Sequence, residues 1–307
     1  MPTPIRDLLA AASLGPAAAL AETLAAECTA DPGRLPVAFP GIPRKTSRDP
    51  IGGGHRNIAT GNIATGDGAT GVGATGVGAT GGGATGGGAI ARVDLDCLRV
   101  CDLVATSILL ASQPSDAALI DLWSHGDIEE RTMLLRALNF LPLGPTTAGL
   151  FGEVLRSNVV LHLEAAICDT DLLVRAAEAK AIDRDLQNRL LLKFAFVDLP
   201  LERALGAERC ASAELSTMLQ DLATEREAAG RSVWRDTWRM LGCAPCPGAL
   251  ARLIGGLEHG DDGVRRAAAD GLLKLPERGA GVAGFAKERL PREPRADIRT
   301  LLQQLSQ

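Results

Sequence analysis

Between Arg136 and Gly242 the chain is helix-forming throughout, yet charged and amide side chains fall on faces whose spacing marks them as apolar. Leu215, Leu219, Leu222 and Ala229 make an apolar stripe at helical spacing, which predicts a helix from about Ser212 to Gly230. Arg226 falls on that stripe and Glu225 flanks it. A charge turned into a core is costly unless it is paired, so both residues call for a partner or a ligand. Adjacent residues diverge by about 100° around a helix and cannot satisfy each other. Glu225 is therefore expected to meet a base such as Lys193 or Arg156, and Arg226 an acid such as Glu164.

Composition narrows the fold class. Aromatic residues are 3% of the chain and Tyr is absent, while 46% of residues are hydrophobic and Ala and Leu abound. Strands favour β-branched and aromatic residues, so this balance predicts packed helices. A net charge of -5 argues against nucleic acid as a partner, because phosphate binding needs a basic face. No uncharged apolar run is long enough for a membrane span. The uncharged run from Leu8 to Ala21 is interrupted by Gly15-Pro16, which fits two short helices better than a secretory signal. The seven cysteines are sparse and odd in number, which fits a reducing cytoplasm.

Four regions are expected: N-terminal helices over 1–30, a Pro/Gly-rich disordered linker over 31–90, a helical core over 91–245 and C-terminal helices over 246–307. The linker holds a tandem pentapeptide that begins Asn57-Ile-Ala-Thr-Gly61 and runs to Gly88. A period of five excludes collagen, and a small residue at the centre of each unit leaves a pentapeptide β-helix nothing to stack. No Lys-Ser/Thr follows it, as a phosphate loop would require.

After Ala91, helices are separated by breaks such as Gln113-Pro114, His125-Gly126-Asp127, Pro142 to Pro145, Asp183, Pro200 and Gly260-Asp261. Ser115, Thr146, Ser212 and Asp261 stand as helix caps. Leu119-Ile120, His125-Gly126-Asp127 and Arg131 recur at a constant offset as Leu253-Ile254, His259-Gly260-Asp261 and Arg265. That echo resembles the second helix of a HEAT-type repeat, or is a coincidence between Ala/Leu-rich helices. The expected fold is all-α: stacked helical hairpins, HEAT-like or an irregular α-solenoid, with a disordered Gly-rich insertion.

Reactive chemistry is sparse. Cys97 and Cys101 are spaced to share a helix face, and Cys243-Ala-Pro-Cys246 has the spacing of a zinc or redox half-site. No strand precedes the second pair, and cysteines also serve as small buried hydrophobes, so no metal and no cofactor are expected. His125 and His259 sit in turns, and His162 lacks neighbours at ligand spacing. On a helix from Asp185 to Val197, Asp185, Arg189 and Lys193 make one polar stripe, most simply a solvated one, with Asn188 beside it. Asn158 continues the stripe of Phe151, Leu155 and Leu161, so its amide is expected among packed neighbours.

These residues resemble the EboA family of metabolite traffic proteins over about Arg136 to Gly242. Arg136-Ala137-Leu138 with Leu141-Pro142 is similar to its R-A-L-x-x-L-P. Arg156-Ser157-Asn158 with Glu164-Ala165 resembles its R-T-N and F-E-A. Asn188, Leu192-Lys193 and Phe196 fit W-N-Q-M-V-L-K-A-x-F, and Pro200-Leu201, Gly206 and Arg209 fit P-L and G-x-x-R. Glu225 to Arg231 resembles E-R-W-A-A-G-R, followed by Trp238-Arg239 and Gly242. The chain departs from the pattern at Cys168 to Asp171, where the family has N-P-Y-P, and at Gln187, Arg189 and Glu227.

The resemblance implies a cytoplasmic accessory protein of a gene cluster, serving the traffic or biosynthesis of secondary-metabolite precursors through a ligand pocket or a partner surface. Its expected partners are the other proteins of that cluster, among them a UbiA-like membrane protein. The candidate ligand-binding set is Arg156, Asn158, Glu164, Asn188, Lys193, Glu225, Arg226 and Arg231, with no catalytic residue assigned. Two other functions stay open. One is an all-α enzyme on an anionic or prenylated small molecule, with Arg156, Lys193 and Arg226 gripping the anion. The other is a helical interaction scaffold.

Overall fold

Proline spacing shapes the first part of the chain. In the computed structural model, which describes residues 7–8, 14–60, 89–277 and 280–307, the segment expected to be linker begins with four short helical turns. They are a 3-10 turn over Pro32–Arg34, α2 (Leu35–Ala38), a second 3-10 turn over Phe39–Gly41 and α3 (Ile42–Lys45). Each carries a proline in its opening positions. A proline lacks the N–H that a helix interior needs, so each one closes a turn and opens another. Leu35, Ala38, Phe39 and Ile42 are buried by this folding, which a linker would not achieve.

Contacts divide the chain into two compact units, Met1–Leu143 and Gly144–Gln307. In the first, α1 (Gly15–Ala30) opens with Pro16 and buries Ala21, Leu24, Ala25 and Cys28. It packs on α4 (Val100–Ser112), which is buried from Val100 to Leu110 and forms the centre of this unit. A helix buried on all sides must satisfy its few polar groups internally. Thr106 and Ser107 do so by donating to the carbonyls of Asp102 and Leu103 one turn back. Helices α5 (Asp116–His125) and α6 (Ile128–Ala137) form a hairpin, and α6 also packs on α4.

The all-α expectation needs one correction. Strands β1 (His55–Thr60) and β2 (Ala89–Asp94) pair antiparallel, His55 opposite Asp94 and Thr60 opposite Ala89. Ile58, opposite Ala91, is buried with Ala91, Val93 and Leu95, the alternation of a strand with one covered face. The ends of the expected linker therefore form a ribbon, while its repeats over 61–88 lie outside the described residues. The helical remainder agrees with the expected class.

The second unit holds α7 (Pro145–Arg156), α8 (Val160–Ile167), α9 (Leu172–Glu178), α10 (Arg184–Phe196), α11 (Ala213–Ala228), α12 (Thr237–Cys243), α13 (Ala249–Gly256), α14 (Asp262–Lys274), α15 (Ala280–Arg289) and α16 (Ala296–Leu305). Their starts follow the sequence closely: Ser212 accepts from the Leu215 N–H, Asp183 from Leu186 and Asp261 from Val264. Thr146 is not a cap. Gly144 holds that position, and its N–H donates to the Thr147 hydroxyl. The two echoed hairpins share an Asp cap and an arginine that returns to turn carbonyls. Arg131 bonds Trp123 and Ser124, whereas Arg265 bonds His259 and Gly260.

Candidate functional site

Helix α7 ends at Arg156, because Ser157 turns extended and its hydroxyl accepts from the Val159 N–H. Serine and asparagine compete locally with helical hydrogen bonding, so Ser157-Asn158 break the run instead of continuing it. The carbonyls left open at this helix end are collected by one side chain. Lys193 on α10 donates to the carbonyl oxygens of Val154, Leu155 and Ser157 at 2.8, 2.9 and 2.5 Å. A cation here meets unpaired acceptors and the negative end of the helix dipole. Burial lowers the Lys193 pKa from the ordinary lysine value. The residue expected on a solvated stripe is thus a helix cap.

A second cation acts alike. Arg226 on α11 donates to the carbonyls of Phe196, the last residue of α10, and Ser232 at 2.6 and 3.0 Å. Its guanidinium carbon lies 6.0 Å from the centre of the Phe196 ring. Arg226 is half-buried and meets no carboxylate among the described residues, and Glu225 is exposed, so neither is a buried charge of this helix. The reason is its register. Leu215, Ser216, Leu219 and Ala223 form the buried face, while Leu222 is half-buried and Ala229 exposed.

The side of α11 left outside that face joins α10 in a groove of about 630 Å³. Leu155 from the end of α7, Leu192 and Phe196 from α10, and Met218 and Leu222 from α11 give it an apolar floor. Arg189, Lys193, Asp221 and Glu225 are its charged members. Phe196 is 63% exposed. Two stripes therefore run along α11, one packed and one open.

Of the candidate ligand residues, Lys193 and Glu225 come together in this groove. The others are dispersed within the second unit. Arg156 is exposed and paired with Glu153, Asn158 is exposed and not among packed neighbours, and Arg231 is exposed. Glu164 pairs with Arg203 at 2.5 Å, not with Arg226. The same guanidinium forks onto Asp169, whose φ of 62° is left-handed, in the loop that replaces the family's N-P-Y-P. Asn188 is buried and accepts from the Ser212 hydroxyl at 3.1 Å. Glu227, another departure, is paired with Arg252. An anion grip by Arg156, Lys193 and Arg226 does not form, since each is engaged elsewhere.

Of the groove residues, Leu155 and Leu222 read in the sequence as packed stripe positions, while Met218 and Asp221 carry no assigned role there, although a signal for them is present. Met218 and Leu222, with Asp221 and Glu225, make a second set at helical spacing beside the packed one. Phe196 stands in a family motif already.

In the first unit a carboxylate is fully buried. Asp102 accepts from Arg99 Nε and Nη2 at 3.1 and 3.0 Å and from Arg136 Nη1 at 2.5 Å, and Arg99 also reaches Glu129. Burial alone would lower the Arg99 pKa, but the hydrogen bonds and charge of Asp102 outweigh it and push it up. The two arginines and two carboxylates of this cluster satisfy one another's charges.

The cysteines are all free thiols. Cys97 ends a 3-10 turn over Leu95–Cys97 while Cys101 lies in α4, so they do not share one helix as expected. Burial pushes the thiols of Cys101 and Cys243 up to about 11, which keeps them protonated and unreactive. Among the described residues no three His, Cys, Asp or Glu side chains are grouped to hold a metal ion. No helix among them is long and apolar enough to cross a membrane.

Paired helices with an open, largely apolar groove between them form a surface on which a small molecule can lie. Residues 101–242 match the family model described as metabolite traffic protein EboA, and this match supports membership of the EboA family. The match begins well before Arg136, where the sequence resemblance started, and takes in Asp102, the partner of the motif residue Arg136. It also contains every residue of the groove. No curated protein and no solved structure matches the chain.

Proposed function

We propose that the chain serves metabolite traffic by holding a small, largely apolar molecule in the groove between α10 and α11. The observation that carries this reading is the apolar floor of Leu155, Leu192, Phe196, Met218 and Leu222, with Phe196 63% exposed at its edge. An exposed aromatic beside further apolar side chains favours an occupant, since covering it gains roughly 25 cal/mol per Å². A volume of about 630 Å³ falls within the range of small-ligand sites, roughly 300–1,000 Å³. The groove is open to solvent, as suits a molecule that is taken up and handed on. In this reading the protein works in the cytoplasm beside the other products of its gene cluster, and a UbiA-like membrane protein receives the cargo. HEAT-like stacking of the hairpins would give those partners a docking face.

The test is direct. 1-Naphthalenemethanol, a neutral apolar probe, should shift the amide resonances of residues around Leu192 and Leu222. The double variant Phe196→Ser, Leu222→Ser should lose that binding and keep its fold. Shifts elsewhere, or unchanged binding by the variant, would overturn the groove as the site.

A further inference from the structure

The charges of the groove are unequal in what they are free to do. Lys193 is committed to three backbone carbonyls at the end of α7. Arg189 is paired with Asp185 one turn earlier at 3.0 Å. Asp221 and Glu225 carry no ion pair or side-chain hydrogen bond to any described residue, and both line the groove. The anions alone are unspent.

Their placement also runs against local helix physics. Asp221 and Glu225 are one turn apart on α11, where like charges destabilise a helix. Glu225 lies in the last turn, where the helix dipole disfavours an anion. Neither position is explained by packing, since the buried face of α11 is Leu215, Ser216, Leu219 and Ala223. A cation lodged beside both carboxylates would remove the repulsion. Phe196 adds an aromatic face of a kind that attracts cations, and Arg226 already lies 6.0 Å from its centre.

We infer that the groove takes a cationic amphiphile: an apolar molecule whose amine or ammonium group is held by Asp221 and Glu225 while its apolar part lies on Leu192, Phe196, Met218 and Leu222. This rests on the groove being the ligand site. The ligand's charge is opposite to that of the anion which the alternative enzyme reading gave to Arg156, Lys193 and Arg226.

Three probes that share a naphthalene ring separate the charge from the groove: 1-naphthylmethylammonium, 1-naphthalenemethanol and 1-naphthoate. By titration calorimetry at low salt the ammonium probe should bind about five- to tenfold more tightly than the alcohol, the margin of one or two exposed ion pairs. The carboxylate should bind weakest. Asp221→Asn with Glu225→Gln should abolish that margin, read as the ratio of the two affinities in the same variant, and high salt should shrink it in the parent protein. An ammonium probe that binds no better than the alcohol, or a margin that survives in the double variant, overturns the charge inference and leaves the groove standing. Failure of all three probes to bind overturns both.

Discussion

A β-carbon added to Gly242 in α12 would fall 2.0 Å from the carbonyl oxygen of Gly271 in α14. The approach is mutual, since a β-carbon on Gly271 would lie 2.3 Å from the carbonyl of Trp238. Both obstacles are backbone, which cannot swing aside. The crossing of α12 and α14 is set by these two glycines. Gly242→Ala should cost about 1–3 kcal/mol or more through forced separation of the helices. Gly255→Ala is the control, because nothing lies within 4 Å of its β-carbon. Urea denaturation should show a large loss for the first and none for the second. Equal stability of the two variants would contradict the crossing.

Lys193→Met keeps the length of the side chain and removes its charge. Three carbonyls at the end of α7 then lose their donor. A hydrogen bond from a charged group contributes roughly 1.5–3 kcal/mol, so a loss of that order is expected. Faster amide exchange around residues 154–158 should accompany it. A loss of ligand binding with no change in stability would instead make Lys193 a ligand contact.

Much of this architecture was legible in the sequence. The caps at Ser115, Ser212 and Asp261 and the break at Gln113-Pro114 are local signals, fixed by side chains that bond their own backbone. The helical class followed from composition. What was not legible depended on register and on distant partners. Ser157-Asn158 gave no proline or glycine to mark a break, so Asn158 was placed on a stripe that ends at Arg156. On α11 the stripe through Leu222 and Ala229 rivals the one through Leu219 and Ala223, and only packing chooses between them. That choice moved Glu225 from a core to a groove. The ribbon of His55–Thr60 with Ala89–Asp94 pairs residues across the whole repeat tract, a separation that no local pattern reveals.

Asp102→Asn should be the most damaging polar substitution in the first unit. The carboxylate is fully buried, and Arg99 and Arg136, themselves mostly buried, both point at it. Breaking a buried pair by removing one partner costs about 3–5 kcal/mol, because the remaining charge stays desolvated. Equilibrium unfolding measures this, and a cost near that of an exposed ion pair, about 0–1 kcal/mol, would show the arginines free to turn to water.

Acid should act through Glu293. Its side chain is buried, with Arg265 Nε at 2.9 Å, Arg289 Nη2 at 3.0 Å and the Arg295 N–H at 3.1 Å. Burial alone would raise its pKa, but Arg265 and the Arg295 N–H outweigh that and hold it below the usual carboxylate range. A depressed folded value means that this group stabilises the fold above its unfolded pKa, about 4.3. That contribution disappears as pH falls through the folded value. The gap in melting temperature between the parent and Glu293→Gln should therefore be steady from pH 7 to 5 and shrink below about pH 4. A gap that does not narrow in acid would contradict the assignment.

Arg226→Ala separates the geometry found here from a buried charge pair. Were Arg226 the partner of a buried acid, its removal would strand a carboxylate and cost about 3–5 kcal/mol. It is instead half-buried, and its acceptors are the carbonyls of Phe196 and Ser232. These oxygens can bond water once the guanidinium is gone. The cost should therefore be that of a helix C-cap, roughly 1–2 kcal/mol, with the loss concentrated in the last turn of α10. Because that turn carries Phe196, the edge of the groove should loosen and the affinity for 1-naphthalenemethanol should fall modestly. Glu225→Gln should behave differently: it removes an anion from the negative end of α11, so stability should hold or rise by a few tenths of a kcal/mol. Melting curves of the two variants side by side decide the matter, and equal large losses in both would restore the buried charges.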